Sequence, residues 1–471
     1  MPGYRGAGTR GRVRRLYVAS TLAAAAFTAP SLTSAQDSHY WTYQYGTRAN
    51  LLGGLVIGSV VDISAVYYNP GALSLIADPE LISTSKLFEL SDYSADGVEN
   101  RPLKLNDLRI DQAPGFFAGT MPFKFLENHV LAYSVFTRYR HKLKLDAAQA
   151  WSGDVADTVP GVEDAFAQLL VEDDLSETWV GLSWSAPLGK FGFGVSQFVA
   201  YRNQKGTRLV RGDIHSRTAA AAASSGAELL YSYWSARLLW KVGLSWEWEG
   251  IGWGLTATTP SLSLLGDGRE LVNISATGQG LDGDGVVDPV FVAAYEEGLK
   301  AKYISPWSLG LGAAYGFGNS RLNFSAEYFS KNSEFVIMDG GDFEGQSTGD
   351  TVSLVLTDEQ DDVLNFGLGF RHQLSAQITG YASFRTDFSS ADGGNVVASL
   401  SSPLNLYFVT VGAALRIPIT DITLGLGYGW GSATAAVPLA NLTGANDIVG
   451  SLPENVNIRY RSLRLIFAFS I

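Results

Sequence analysis

The sequence contains no cysteine, only three methionines and five histidines, and few charges for its length: 17% of 471 residues, against roughly 25% in a typical soluble domain. Without cysteine there is no disulfide scaffold, no iron–sulfur cluster and no thiolate zinc site. His39, His129, His141, His215 and His372 fall in no H-E-x-x-H or similar metal spacing. Nothing marks a Ser-His-Asp site, and the chain is not expected to be an enzyme. Also missing is a run of about 20 apolar residues, the length a helix needs to cross a bilayer. The best candidate, Leu51 to Tyr68, is broken by three glycines and Asp62. What the sequence has instead is glycine (52) and aromatics (24 Phe, 21 Tyr, 11 Trp). Low charge with abundant glycine and aromatics excludes disorder and a long-helix protein.

Arg5, Arg10, Arg12, Arg14 and Arg15 form a basic zone, Leu16 to Pro30 an apolar one, and Thr33-Ser34-Ala35 a small-residue cleavage site. That order predicts a secretory signal peptide over residues 1–35. The mature chain then holds 29 Lys+Arg against 46 Asp+Glu, a net charge of −17. So acidic a surface does not suit nucleic acid, whose phosphates demand clustered cations.

Alternation decides how an exported chain without an apolar helix folds. Leu309, Leu311, Ala313, Tyr315 and Phe317 oppose Ser308, Gly310, Gly312, Ala314 and Gly316. Thr178–Ala186, Arg321–Tyr328, Leu364–Arg371 and Ile422–Trp430 repeat the pattern, one face large and apolar, the other small or polar. This is the strand period, with the faces a transmembrane barrel wants. Fourteen strands are expected between residues 81 and 471. Short links (such as Leu188 to Lys190 and Gly318 to Ser320) alternate with long ones: Asp146–Glu177, Arg202–Glu228, Leu264–Ser305, Lys331–Thr351 and Ala433–Asn455. Outer-membrane barrels segregate short periplasmic turns from long outer loops in this way, and an even strand number closes an antiparallel barrel without edges. Leu463, Leu465, Phe467, Phe469 and Ile471 share one face of the final strand, as in the segments read by barrel-assembly machinery, although Ile replaces the usual terminal Phe or Trp. Within the loops, Gly161–Leu170 and Ala219–Ala223 read as short helices.

Residues 36–80 do not read as strands. They are too short and too interrupted by polar residues for an independent core, and fit best inside the barrel. Asp62 and Ser64 are placed to cap a short helix, and Asn69-Pro70-Gly71 to make a turn. Gly46-x-Arg48, Leu52-Gly53-Gly54, Asp62-x-Ser64 and Asn69-Pro70-Gly71 before the first strand resemble the N-terminal hatch of the FadL/TodX (OmpP1) outer-membrane transporters. The resemblance implies a fourteen-stranded outer-membrane barrel that takes up long-chain fatty acids or other hydrophobic compounds passively. Arg48, Gly53, Gly54, Asp62, Ser64, Asn69, Pro70 and Gly71 would form the gating hatch. It also implies capture among outer loops, here Arg202–Glu228 and Leu264–Ser305, and lateral release at a kinked third strand. His129–Leu145 departs from that pattern, because it has no Gly or Pro to kink it. Trp41, Phe116 and Phe117 are the candidate pocket residues.

Arg202, Lys205, Arg208, Arg211 and Arg217 read as a solvated, lipopolysaccharide-facing loop rather than a carboxylate clamp. Asp282, Asp284 and Asp288 resemble part of a calcium loop, but Gly280 and Val286 occupy other ligand slots, and an acidic turn is the simpler reading. Two other functions fit the composition: a polar-solute porin, and a barrel acting as a scaffold or secretion accessory.

Overall fold

The computed structural model describes residues 39–470, apart from 60–61, 77–81, 84–87, 98–103, 113–114, 122–127, 154–160, 219–220, 280–285, 392–403, 418–419 and 437–454. The expected signal peptide, and Asp282 and Asp284, lie outside the described residues. No described helix is long and apolar enough to cross a membrane.

Among the described residues, eighteen of twenty strands form one antiparallel sheet. Several run end to end, so the sheet has fourteen staves. In chain order these are β1 (Ile82–Ser83) with β2 (Phe88–Gly97); β3 (Lys104–Gln112) with β4 (Phe116–Met121); β5 (Val130–Gly153); β6 (Glu163–Leu188); and β7 (Phe191–Ser216). Next come β8 (Ala222–Trp248); β9 (Ile251–Thr258) with β10 (Leu262–Gln279); β11 (Val286–Leu299) with β12 (Ser308–Phe317); and β13 (Ser320–Phe329) with β14 (Asn332–Glu344). β15 (Thr351–Gln360) with β16 (Val363–Gln373), β17 (Ile378–Asp387), β18 (Leu406–Ile417), β19 (Thr420–Ala436) and β20 (Asn455–Ser470) complete the ring. Each stave pairs with the next, and β1 and β2 pair with β20, so the sheet is closed. Closure pairs the backbone around the ring, as a spanning sheet in lipid requires, with the exception on β5 described below.

The period-2 pattern points as expected. Leu309, Leu311, Tyr315, Leu364, Leu368, Leu424, Leu426 and Leu463 are 41–56% exposed on the outer wall. The glycines and polar residues between them face inward. A closed sheet with an oily exterior is a membrane-spanning barrel.

The long links are largely not loops. Asp146–Gly153 pairs with Glu163–Leu170, and Arg202–His215 pairs with Ala222–Ser235, so staves extend far beyond the bilayer as paired hairpins. The two expected loop helices are corrected accordingly. Residues 163–170 belong to β6, and Ala222 and Ala223 begin β8, where ladders on both sides override their helix propensity. β14 and β15 follow β13 and precede β16 in the chain but pair only with each other, as a separate hairpin over residues 332–360. Its Ile337, Met338 and Leu356 are buried against Tyr231, Tyr233 and Tyr303.

Residues 39–76 carry short helices at Arg48–Leu51 and Ala65–Tyr68 and a 3-10 helix at Pro70–Leu75. Their partners come from all around the ring. Tyr45 donates to Thr137 O of β5, Ser196 of β7 to Val66 O, and Asn69 to Leu244 O of β8. Ser59 meets Asn323 of β13, Ser383 of β17 donates to Leu51 O, and Arg464 of β20 donates to Thr42 O. A segment touching the inward side of so many staves lies within the ring. Its Tyr45, Leu51, Leu52, Val66 and Tyr68 share one buried cluster with Phe116, Phe136, Phe198 and Leu239 of the wall.

Candidate functional site

The inner segment is seated through its Asn-Pro-Gly turn. Asn69 Nδ2 donates to Ile57 O (2.9 Å) and Leu244 O (3.1 Å), and Asn69 Oδ1 accepts from Gly71 N (3.1 Å). The asparagine thus starts the 3-10 helix, Pro70 occupies its first position, and the same side chain ties the turn to the wall. The wall there is glycine. A Cβ on Gly243 would stand 2.2 Å from Asn69 Oδ1, and one on Gly71 2.5 Å from Gly192 O. Backbone therefore meets backbone where the turn docks.

The other expected hatch residues lie in the same segment. Gly53 (φ 63°) and Gly54 (φ 78°) adopt left-handed conformations after the Arg48–Leu51 helix. Arg48 pairs with Asp421 of β19. Ser64 occupies the N-cap position of the Ala65–Tyr68 helix but makes no side-chain cap. Its hydroxyl and N–H both donate to Asp62 Oδ1 instead, so the expected cap is corrected to a local Asp–Ser turn. Burial raises the Asp62 carboxyl above its usual range, opposed by the Ser64 hydrogen bonds and by Arg48.

Of the pocket candidates, Trp41 is buried and donates from Nε1 to Glu327 (2.9 Å). Phe116 is buried against Tyr45 and Phe136. Phe117 is 40% exposed on the opposite face, beside outward-facing Tyr133. Adjacent strand residues point to opposite sides, so only Phe116 of this pair faces the lumen.

Sequence reasoning missed a polar constellation above the inner segment. Glu177 of β6 pairs with Arg237 (2.5 Å) and Arg202 (3.4 Å), and accepts from Trp179 Nε1 (2.6 Å). Tyr303 lies under both guanidiniums, whose Cζ atoms are 3.8 Å (Arg202) and 4.6 Å (Arg237) from its ring centre. Lys241 pairs with Glu327 (3.5 Å), which also accepts from Ser308 (2.7 Å). Arg138 donates to Tyr40 O (2.6 Å). These groups surround a cavity of about 50 Å³ between Tyr40, Tyr67, Trp179, Tyr303 and Phe329. The available signal was charge at inward positions of β8, where Arg237 and Lys241 share a face with Tyr233, Ser235, Leu239 and Gly243. The basic run expected to be a solvated loop is split by the same alternation. Arg202 is fully buried and Arg208 is held inside by Asp173 (2.8 Å), whereas Lys205, Arg211 and Arg217 are exposed.

The wall itself changes at β5. A β-bulge falls between Thr137 and Tyr139 without any Gly or Pro, leaving Arg138 and Tyr139 both buried. β4 pairs with β5 only over Leu131–Phe136, and no ladder joins β3 to β5 among the described residues. Hydroxyls of the inner segment serve that stretch of edge: Tyr45 donates to Thr137 O (2.7 Å) and Tyr43 to Arg140 O (2.8 Å). Burial pushes the Tyr45 hydroxyl well above its ordinary range, so it stays protonated and able to donate.

A larger concavity, about 430 Å³, lies on the outer wall among Leu244, Leu255, Leu309, Leu311 and Leu364, where it faces lipid. Asp288, of the acidic run, lies in β11, and no metal-holding cluster of His, Asp or Glu occurs among the described residues.

These features define an outer-membrane-type β-barrel whose lumen is occupied by its own leading segment. No family model matches the sequence, and no curated protein matches it. Solved structures do. The P. putida toluene transporter TodX aligns at TM-score 0.56 and 13% identity, over 91% of this chain and 98% of its own. A Pseudomonas aeruginosa FadL homologue aligns at 0.55 and 13%, over 92% and 99%. The CymD monoaromatic hydrocarbon channel aligns at 0.51 and 12%, over 91% and 97%. The chain has the fold of these barrels.

Proposed function

We propose that this protein is a passive outer-membrane transporter for hydrophobic compounds of the FadL/TodX kind, gated by residues 39–76 acting as a hatch, and that it is not an enzyme. The observation that carries the reading is the seating of Asn69-Pro70-Gly71 on a glycine wall inside a closed barrel. The turn takes no part in the barrel ladder, so a shift of the segment would not require breaking the sheet. The neighbours of the same fold include a toluene transporter and a monoaromatic hydrocarbon channel, which supports an apolar cargo. Burying an apolar solute recovers roughly 0.8 kcal/mol per methylene. Long-chain fatty acids are the alternative cargo.

In this reading solutes enter past the β7–β8 and β10–β11 hairpins. The β5 edge, served by Tyr43 and Tyr45, is the lateral way out. Lipopolysaccharide and outer-membrane lipid surround the barrel, and barrel-assembly machinery inserts it. The test is uptake of labelled toluene and labelled oleate by a deletion strain, with and without the gene restored. Restored uptake of either supports the reading. Unchanged uptake with reduced protein export would replace it with the scaffold or secretion role. Steady ion conductance of the purified protein in planar bilayers would replace it with the porin.

A further inference from the structure

The β14–β15 hairpin lies over the lumen rather than in the wall. Tyr233 and Gly268 are register partners on the inward side of β8 and β10, and a Cβ on Gly268 would stand 2.1 Å from Met338 Sδ. At the root of the hairpin, Gln360 donates to the hydroxyl of Tyr303 (2.5 Å), whose ring lies under Arg202 and Arg237. Its tip is held on β11 without a ladder. Gln346 accepts from Ala293 N (2.8 Å) and donates to Ala293 O (2.6 Å), and Ser347 Oγ accepts from Phe291 N (2.7 Å). Residues 330–331 and 361–362, outside any strand, join it to β13 and β16. An apolar underside, a latched tip and two short joints let such an element move as a unit. Beneath it sits an acid with no described ion pair. Glu270 is 1% exposed, its Oε2 meets no donor, and a Cβ on Gly340 of the hairpin would stand 3.4 Å from that oxygen. The groups facing Glu270 are Tyr231 on β8, Glu296 on β11 and Asp339 on the hairpin, and none is a cation. The Tyr231 hydroxyl is itself turned to Asp173, which Arg208 holds.

We propose that the β14–β15 hairpin is a lid on the outer mouth of the lumen, seated in acid and released as Glu270 gives up its proton. The control of solute entry rests on the transport reading; the movement itself does not. While the hairpin is down, a protonated Glu270 is a neutral group under an apolar cover. Ionised, it is a buried carboxylate beside a second acid, and lifting the hairpin returns it to water. Burial and Asp339 raise the seated carboxyl from 4.5 to about 7. With the ordinary value restored on lifting, the seated form should lose about tenfold against the lifted form between pH 6 and pH 8.

Because the chain has no cysteine, labels and tethers can be placed on it without interference. The first experiment puts spin labels on the exposed positions Asp350→Cys, at the hairpin tip, and Ser432→Cys, on β19 across the ring, in the full mature chain in lipid nanodiscs. Electron–electron distance measurements should give one population at pH 6 and a second, displaced one at pH 8. A single unchanged distance at both values overturns the lid. Adding Glu270→Gln, which stays neutral, should keep the single population at both pH values in protein with heat-modifiable migration. An undiminished second population in that variant overturns the role of Glu270. The second experiment tethers Gln346→Cys to Ala293→Cys with a short, reducible bismaleimide in the deletion strain. Uptake of labelled toluene and oleate should fall to the level of the strain without the gene and return when the tether is reduced. Full uptake in the tethered state overturns the lid as a gate while the transport reading stands. If uptake is absent even after reduction and with the unaltered gene, the transport reading fails, and the distance measurement still decides whether the hairpin moves.

Discussion

Replacing Asn69 with alanine removes three hydrogen bonds from a side chain that is fully buried where the inner segment meets the wall. Each such bond contributes about 1 kcal/mol net, and an acceptor left buried without a donor costs more. Of the three partners only Leu244 O belongs to the wall, and it is left without its Asn69 donor, so the docked position should weaken by roughly 1.5–3 kcal/mol. The equilibrium between seated and displaced segment then shifts by roughly 12- to 150-fold. The barrel ladder itself does not use this side chain, so heat-modifiable migration should be unchanged. In planar bilayers, the fraction of time that single molecules conduct should rise by at least tenfold, and a protease added from the exposed side should cut near Arg48 more readily. A variant with wild-type opening frequency and wild-type protease resistance would refute the idea that this turn holds the segment in place.

Tyr45→Phe deletes the hydroxyl that serves Thr137 O, and should raise amide exchange at the β5 bulge relative to the rest of β5. Equal protection across β5 would show that the edge does not depend on it. Glu177→Gln leaves Arg202 and Arg237 without their shared acid in a buried setting, a class of change that costs about 3–5 kcal/mol. It should lower the urea midpoint for unfolding from lipid vesicles, and an unchanged midpoint would count against the network. Glu270 lies where outward positions on β10 have become charged (Asp267, Arg269), beyond the apolar band. Burial, then repulsion from Asp339, raises its carboxyl from 4.5 to about 7. A raised acid binds its proton more tightly in the folded state. Packing of β10 near the β14–β15 hairpin should therefore strengthen as pH falls from above 7 toward 4.5 and weaken as pH rises through 7. Exchange protection of β14 at pH 5 and pH 8, corrected for intrinsic rates, measures this. The same difference in Glu270→Gln would assign it to another group.

The wall was legible from the amino acids because lipid outside and close-packed backbone inside impose opposite demands on alternate residues. Leu309 to Phe317 and Ile422 to Trp430 show this without any knowledge of their neighbours. Where that contrast fades beyond the bilayer, alternation fades with it. Ala165 and Ala167 then read as helical although ladders on both sides make them strand. The inner segment announced itself through Leu52-Gly53-Gly54 and Asn69-Pro70-Gly71, whose backbone needs are local. The cationic cavity did not, because Arg138, Glu177, Arg237, Tyr303 and Glu327 come from separate staves and meet only once register is set. Phe117 failed for the related reason that one step along a strand exchanges lumen for lipid.

The tyrosines that serve β5 make the wall and its contents one hydrogen-bonded unit. Thr137 O and Arg140 O have their described donors in the leading residues, while the seam of the cylinder is joined by the trailing strand, β20. The two ends of the polypeptide thus complete the barrel in different ways, one from inside and one along the sheet. A truncated polypeptide starting at β1 would be left with raw main-chain oxygens facing whatever fills the hole.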